Sequence, residues 1–350
     1  MRDVAIISFA YDTAENDRTR NEVEFIIPVA QEAVRASGLA RHDIDFTISG
    51  SCDYLSGGPF TFVSGLDAVG AFPPVKESHV EMDAAWALYE AWVSLQVGDI
   101  DSALVYGFGK SSLGNLHEIM TLQTDPYYTA PLWPSMVDMA ALQASAVIEE
   151  TRYDEDDFAE VAARSLRSGL DNPQAIRKED VTAESLLERP VTHHPLRDHD
   201  LPPVTDGAAA MVIAAGDLAR RLCERPAWIR GIEHRIEPQA LGARDLTRSV
   251  STAASAQAAG AANDKIDVAE LHAQFSHEEL LLRDAIGIGD ETAINPSGGA
   301  LCANAVMSAG LVRLGEVARR IWSGDADRGV AHATQGPCLQ QNLVCVLEGE

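Results

Sequence analysis

Two stretches, VGDIDSALVYG (97–107) and SGDADRGVAHA (323–333), carry one signature: Gly-Asp-x-Asp closes an amphipathic run and opens a β-type run. A glycine just past a helix takes the left-handed conformation that ends it, so Gly98 and Gly324 read as helix stops. An earlier pair behaves alike. HDIDFTISGS (42–51) and DKIDVAELHAQ (264–274) each place Ile-Asp before a short β-type run. Asp45 and Asp267 are 222 positions apart, and Asp99 and Asp325 are 226 apart. Two matches in the same order at nearly one spacing indicate a duplicated supersecondary unit.

Within each copy the order is strand, loop, helix, strand. Ala84, Ala87, Leu88, Ala91, Trp92 and Leu95 recur at i, i+3, i+4 and predict a helix over about 84–97. In the second copy Val306, Ala309, Gly310, Val312, Arg313, Val317 and Ile321 follow a similar pattern up to Trp322. Strands alternating with helices imply mostly parallel sheets under helical cover, hence an α/β protein of two similar halves. The expected boundaries are 1–222 and 223–350. Inside the first half, about 111–203 reads differently, with prolines at 126, 131, 134, 173, 190, 195, 202 and 203 and an amphipathic helix around 154–169. Such a segment reads as a cap over a site. DGAAAMVIAA (206–215) then returns to the sheet.

With 46% hydrophobic residues in 350, the chain can bury a large core, yet it has no apolar run long enough to span a membrane. MRDVAIISFAYD enters a strand pattern directly, so no targeting segment is expected and the cytoplasm is the default. Five cysteines without a C-x-x-C pair argue against a disulfide framework or zinc ribbon. A net charge of −26 repels nucleic acid.

The stretch NPSGGALCANAVMSAG (295–310) points to a ligand. Gly298 and Gly299 allow positive φ and exposed N–H groups just before a helical pattern that starts at Ala305, the arrangement of an anion or oxyanion site. Asn304 then reads both as the N-cap of that helix and as an amide donor to a ligand oxygen.

The NPSGGAL run, HAQFS (272–276), TDGAAAMVIA (205–214) and the helix–Gly-Asp–strand units together resemble the thiolase superfamily. Within it they are similar to the sterol-carrier-protein-x thiolases and the thiolase-like lipid-transfer proteins of actinobacterial steroid catabolism. The resemblance implies a thiolase-like fold of two βαβαβαββ halves in five layers, a tight dimer and an acyl-CoA bound under the cap. The departures are equally informative. Where those proteins carry Gly-His-Pro, this chain has Asn304. Their nucleophilic Cys, counted back from Gly98, falls at about Glu81 in SHVEMDAAWAL (78–88), which has no Cys. Their second Cys falls near Gln335 or Gly336, with Cys338 close but displaced. Covalent catalysis needs an activated nucleophile with a base in reach, so ordinary thiolase activity is not expected.

The resemblance assigns His272 to holding a water or the thioester oxygen, at a strand end where α/β proteins bind ligands; capping of the next helix is the plainer role. Asp83 reads as the N-cap of the helix at Ala84, or, with Glu81, as a general base for cleavage of a β-hydroxyacyl thioester between Cα and Cβ. His79 is a rival base, and Tyr54 in the early loop is a hydroxyl donor. His193, His194 and His199 with Asp198 and Asp200 match no metal spacing and read as a solvated loop. Arg244 and Arg248 are weak candidates for phosphate contacts.

The resulting expectation is a thiolase-like acyl-CoA-binding protein that takes part in retro-aldol cleavage of a bulky, steroid-type β-hydroxyacyl-CoA. His272, Asn304, Glu81 and Asp83 form its catalytic set, with Gly298, Gly299, Tyr54 and His79 at the substrate. No separate cofactor and no metal is expected, CoA arriving with the substrate. The expected partners are a second copy, another thiolase-like chain, or an OB-fold/zinc-ribbon protein. A non-catalytic subunit or acyl-CoA carrier is the alternative from another class, and an acyltransferase using Cys302 or Cys338 is a third.

Overall fold

The computed structural model describes residues 2–72 and 74–350. The first half contributes strands β1 (Val4–Glu15), β2 (Phe46–Gly50), β3 (Lys76–Val80) and β4 (Ser102–Lys110). After the short insertion hairpin β5 (Val191–His193) and β6 (Leu196–Arg197) comes β7 (Val204–Ala215). The second half supplies β8 (Ala227–Ile236), β9 (Val268–Glu270), β10 (Ala293–Ile294), β11 (Asn304–Ala305), β12 (Arg328–Gln335) and β13 (Gln341–Glu348).

The strand order is β3-β2-β4-β7-β1 in one half and β10-β9-β12-β13-β8 in the other, joined where β1 pairs antiparallel with β8. Each half has the same mixture of pairings. β2 runs parallel to β3 and β4, as β9 does to β10 and β12, while the strands that follow are antiparallel. The duplication extends to register: Phe46 faces Ala103 and Val268 faces Gly329, which are the same positions at offsets of 222 and 226.

Helices of the first half are α1 (Glu22–Ser37), α2 (Asp53–Ser56), α3 (Phe62–Ala68) and α4 (Ala84–Val97). The insertion holds α5 (Leu116–Leu122), α6 (Met136–Glu150), α7 (Glu155–Ser168) and α8 (Ala183–Leu187). Then follow α9 (Gly216–Leu222), α10 (Val250–Ala259), α11 (Ser276–Ile286), α12 (Gly299–Cys302) and α13 (Ala309–Ser323). Helices α4 and α13 lie in the central apolar cluster with side chains from both halves of the sheet. One outer cluster packs α1 and α9 on the first half, and the other packs α6, α7, α10 and α11 on the second. The result is five layers: helices, sheet, helices, sheet, helices.

The central position explains the composition of α4. Ala84, Ala85, Trp86, Ala87, Leu88, Ala91 and Leu95 are all buried: the first turns are covered on every side and apolar all round, while Glu90 and Val97 reach solvent further along. Gly98 and Gly324 end α4 and α13 in the left-handed conformation, at φ 86° and 82°. One helix start differs from expectation. Ala305 does not begin a helix, because Asn304 and Ala305 form β11, parallel to Val204 and Thr205 of β7. The helix begins at Ala309, with Ser308 in the N-cap position, so Asn304 is not its cap.

The cap also departs in part from a solvated loop. His193 and His194 are exposed, whereas His199 and Asp200 are buried. Asp200 accepts the hydroxyl of Ser276 (2.6 Å) and the N–H of Arg197 (2.8 Å), which fastens the insertion to α11. Among the described residues no helix is long and apolar enough to cross a membrane.

Candidate active site

The site is built outward from Glu270, the last residue of β9. Its carboxylate accepts the N–H and hydroxyl of Ser297 (2.9 and 2.8 Å) and pairs with Arg313 of α13 (2.9 Å), all buried. Next to it, Asn295 accepts the N–H of Leu271 (2.6 Å) and donates to Glu279 (2.8 Å). The Asn-Pro-Ser-Gly-Gly turn therefore grips the two residues that precede His272. A buried ion pair with its remaining hydrogen bonds satisfied fixes geometry more than it adds stability.

His272 follows on this anchored strand end. The N–H of Thr334 donates to its Nδ1 (3.3 Å), and its Nε2 lies 2.9 Å from Asn304 Oδ1. A backbone N–H can only donate, so Nδ1 accepts and the ring proton sits on Nε2. Nε2–H then donates to Asn304 Oδ1. Burial lowers the His272 pKa to about 3, so the ring is neutral at ordinary pH. This chain of donors settles the Asn304 amide. Its Oδ1 is occupied, its backbone N–H donates to Thr205 Oγ1 (3.1 Å), and its Nδ2 has no partner among the described residues.

Asn304 lines a cavity of about 290 Å³ whose walls include Met120, Met136, Leu201, Phe275 and Val306. A narrow well of about 30 Å³ bounded by Asp83, His272, Asn304, Thr334 and Gln335 shares wall residues with that cavity and with a second one of about 370 Å³ beside Gln335 and Gly336. Met120 and Met136 border all three. The first cavity is mostly apolar with a few convergent polar groups, the usual make-up of a small-molecule site.

Asp83 is present at the well but fully engaged. Its carboxylate accepts the N–H of Ala85 in α4 (2.9 Å) and those of Gly310 (2.9 Å) and Leu311 (3.2 Å) in α13. One side chain thus caps both central helices, with two positive helix ends directed at it. Burial raises its pKa, and the three N–H donors act against that rise. With its oxygens committed to backbone donors, Asp83 has the capping role, the first of the two expected for it. Gly310 is required by this contact, because a Cβ there would lie 2.5 Å from Asp83 Oδ1.

The other expected residues lie elsewhere. Glu81 is exposed at the end of β3 and accepts the N–H of Asp53 (2.5 Å), and it borders none of these cavities. Partial burial against that turn raises its pKa. The helix starts at Ala84, so the position at its N-terminus is a buried alanine rather than Glu81. His79 is exposed and stacks on Phe62 at 3.7 Å between ring centres. Tyr54 is 62% exposed beside an open depression with Gly57 and Pro59.

Gly298 and Gly299 do take positive φ (94° and 65°), but they are buried against Cys302, Gly169 and Asn295. Their N–H groups donate to Asn295 O and Ser297 Oγ, so the turn supports the site without facing the cavity.

Cys302 and Cys338 are buried, hydrogen-bond to the carbonyls of Ser165 and Met139, and are each pushed up to about 12 by burial. Neither is a thiolate facing a cavity. Arg244 donates to the carbonyls of Pro337 and Cys338, and Arg248 pairs with Asp245. Sequence reasoning passed over Thr334, Gln274 and His117, all of which border the well or the cavity. For His117 a signal existed: it is a titratable side chain in a segment read as a cap.

No protein-family model matches the chain. It is similar to acetyl-CoA acetyltransferase of Methanocaldococcus jannaschii, 25% identical over 352 residues that cover 91% of this chain and 89% of that protein. It is also similar to human sterol carrier protein 2, 25% identical over 299 residues covering 73% of this chain and 54% of the relative. The crystal structure of Bacillus anthracis acetyl-CoA acetyltransferase superposes with a TM-score of 0.78 at 17% identity, covering 100% of this chain and 99% of that one. An Ltp2–ChsH2(DUF35) aldolase superposes with a TM-score of 0.82 at 17% identity over 99% and 97%. The chain has the thiolase-like fold.

Proposed function

We propose that this thiolase-like protein binds an acyl-CoA through its thioester oxygen and cleaves a bulky β-hydroxyacyl-CoA between Cα and Cβ without a covalent intermediate. The observation that carries this reading is the free Nδ2 of Asn304, held toward the cavity by His272 while Ala84 occupies the helix start. A fixed amide donor in a water-poor site stabilises the enolate oxygen that forms as the carbon–carbon bond breaks. His272 acts as the positioner of that donor rather than as a second donor. The apolar walls suit a large acyl group, and CoA enters as part of the substrate.

Support comes from the fold shared with the Ltp2–ChsH2(DUF35) aldolase and from the similarity to acetyl-CoA acetyltransferases. A DUF35-type, OB-fold/zinc-ribbon partner is accordingly part of the proposal. So is a dimer with a second copy or another thiolase-like chain: among the described residues β3 pairs with β2 alone, and Phe60 and Phe72, in the segment between β2 and β3, are exposed.

The inner well itself favours one second reading, an acyl-CoA carrier or companion subunit, since its titratable groups are a fully bonded Asp83 and a neutral His272. The test is incubation of the chain, alone and with a DUF35-type partner, with β-hydroxyacyl-CoA thioesters. Equimolar release of a ketone or aldehyde and a shortened acyl-CoA supports the lyase. Tight binding with the thioester recovered intact supports the carrier.

A further inference from the structure

The cleavage needs a base for the β-hydroxyl proton, and the two carboxylates that the sequence offered are spent or misplaced. The cavity that contains Asn304 has one titratable imidazole in its wall, His117 of the cap helix α5. Its ring packs edge-on to Trp133, 6.5 Å between centres. Nδ1 is buried without a hydrogen-bond partner, and Nε2 makes no hydrogen bond among the described residues. The remaining polar groups of that wall, among them Ser111, Ser135, Thr205 and Gln274, are hydroxyls and an amide that do not accept a proton near neutrality. An imidazole with both nitrogens unspent, in the wall of the same apolar cavity that a fixed amide donor lines, is an arrangement that structural packing does not require.

We propose that His117 is the catalytic acid–base of this site, a role that rests on the lyase reading above. In the forward step Nε2 of His117, the nitrogen that is not buried, takes the proton of the β-hydroxyl. The O–H electron pair becomes the new C=O bond, and the Cα–Cβ pair moves onto Cα and the thioester oxygen, where Asn304 Nδ2 meets it. The imidazolium then returns the same proton to Cα, so a ketone or aldehyde and a shortened acyl-CoA leave with no other reactant. The substrate class follows: the hydroxyl lies on the β-carbon, on the cap side of the acyl chain. The cap contributes chemistry as well as cover.

The decisive experiment uses the full chain with its DUF35-type partner, comparing wild type, His117→Ala and His117→Gln on a β-hydroxyacyl-CoA. His117→Ala is expected to lose about 100-fold or more in kcat with little change in KM, and to regain part of it with added imidazole. Carbethoxylation of His117 by diethylpyrocarbonate, read by mass, is expected to be blocked by a bound acyl-CoA in wild type. Cleavage by His117→Ala within about threefold of wild type overturns the role of His117 and leaves the lyase reading standing. A wild type that binds but never cleaves overturns both. Labelling of His117 that a saturating acyl-CoA does not block overturns its placement at the substrate.

Discussion

Asp83 and Gly310, 227 positions apart, meet through a hydrogen bond of 2.9 Å that ties the N-termini of the two central helices together. The same carboxylate also holds Leu311 and Ala85, so a position that resembles part of a nucleophile site in sequence serves as a structural clasp.

Replacing Asp83 therefore tests structure before chemistry. Asp83→Ala leaves three buried N–H groups unmet and is expected to cost about 3 kcal/mol, at roughly 1 kcal/mol for each. Asp83→Asn, which keeps one acceptor oxygen, costs about half as much on the same scale. Chemical denaturation measures both. A fully stable Asp83→Asn protein that has lost only its turnover would restore the base reading.

His272 acts through Asn304, and its replacement is read by coupling. His272→Ala frees the amide to turn, so kcat falls while Asn304→Ala on top of it adds little. A double-mutant cycle on kcat checks this. Fully additive losses would mean that His272 contacts the substrate independently.

Three buried imidazoles set the acid limb of stability. Burial lowers His272 and His277 to about 3 and His332 to about 4, against 6.5 when exposed. Their folded pKa values lie below the unfolded ones, so the unfolded chain binds more protons. Their contribution is complete above pH 6.5 and is lost as pH falls toward 4 for His332 and toward 3 for His272 and His277. Glu278, raised to about 7 by burial, works in the opposite direction between its ordinary 4.5 and 7. Those four groups by themselves take up about two protons on unfolding near pH 5.5, a contribution of about 2.7 kcal/mol per pH unit to the slope. His277→Gln is expected to reduce that slope by about one proton, which unfolding free energies at several pH values would reveal. An unchanged slope would contradict the buried, neutral His277.

Thiol chemistry gives a fourth expectation. Cys302 and Cys338, pushed up to about 12, remain unalkylated by iodoacetamide at pH 8 in the native protein, while half-buried Cys223 reacts first. Mass mapping reads the sites. An acetyl adduct on Cys302 or Cys338 after exposure to acetyl-CoA would revive the acyltransferase reading.

Much of the framework was legible because it is local or repeated. The offsets of Asp45 to Asp267 and Asp99 to Asp325 marked a repeated unit, and the paired registers of β2 with β4 and β9 with β12 follow them. Helix α4 begins and ends where its alanine pattern and Gly98 placed it. The misreadings are long-range. Asn304 sits before an apolar pattern, as a cap does, yet pairing with Val204, 100 positions away, holds it in a strand. The commitment of Asp83 to α13 depends on a helix 227 positions later. His117 was hidden for another reason: the cap was read as cover, and its side chains were not weighed as chemistry.

An Asn304 amide that holds the thioester oxygen makes kcat depend on it, which the turnover of Asn304→Ala on a β-hydroxyacyl-CoA reads. Loss of one oxyanion donor costs about 2.7–4 kcal/mol, so kcat is expected to fall about 100- to 1000-fold. Binding of an unreactive acyl-CoA, measured in parallel, should change by less than about threefold, because the donor acts mainly on the enolate. An Asn304→Ala protein that turns over within about threefold of wild type would mean that the amide does not hold the enolate oxygen.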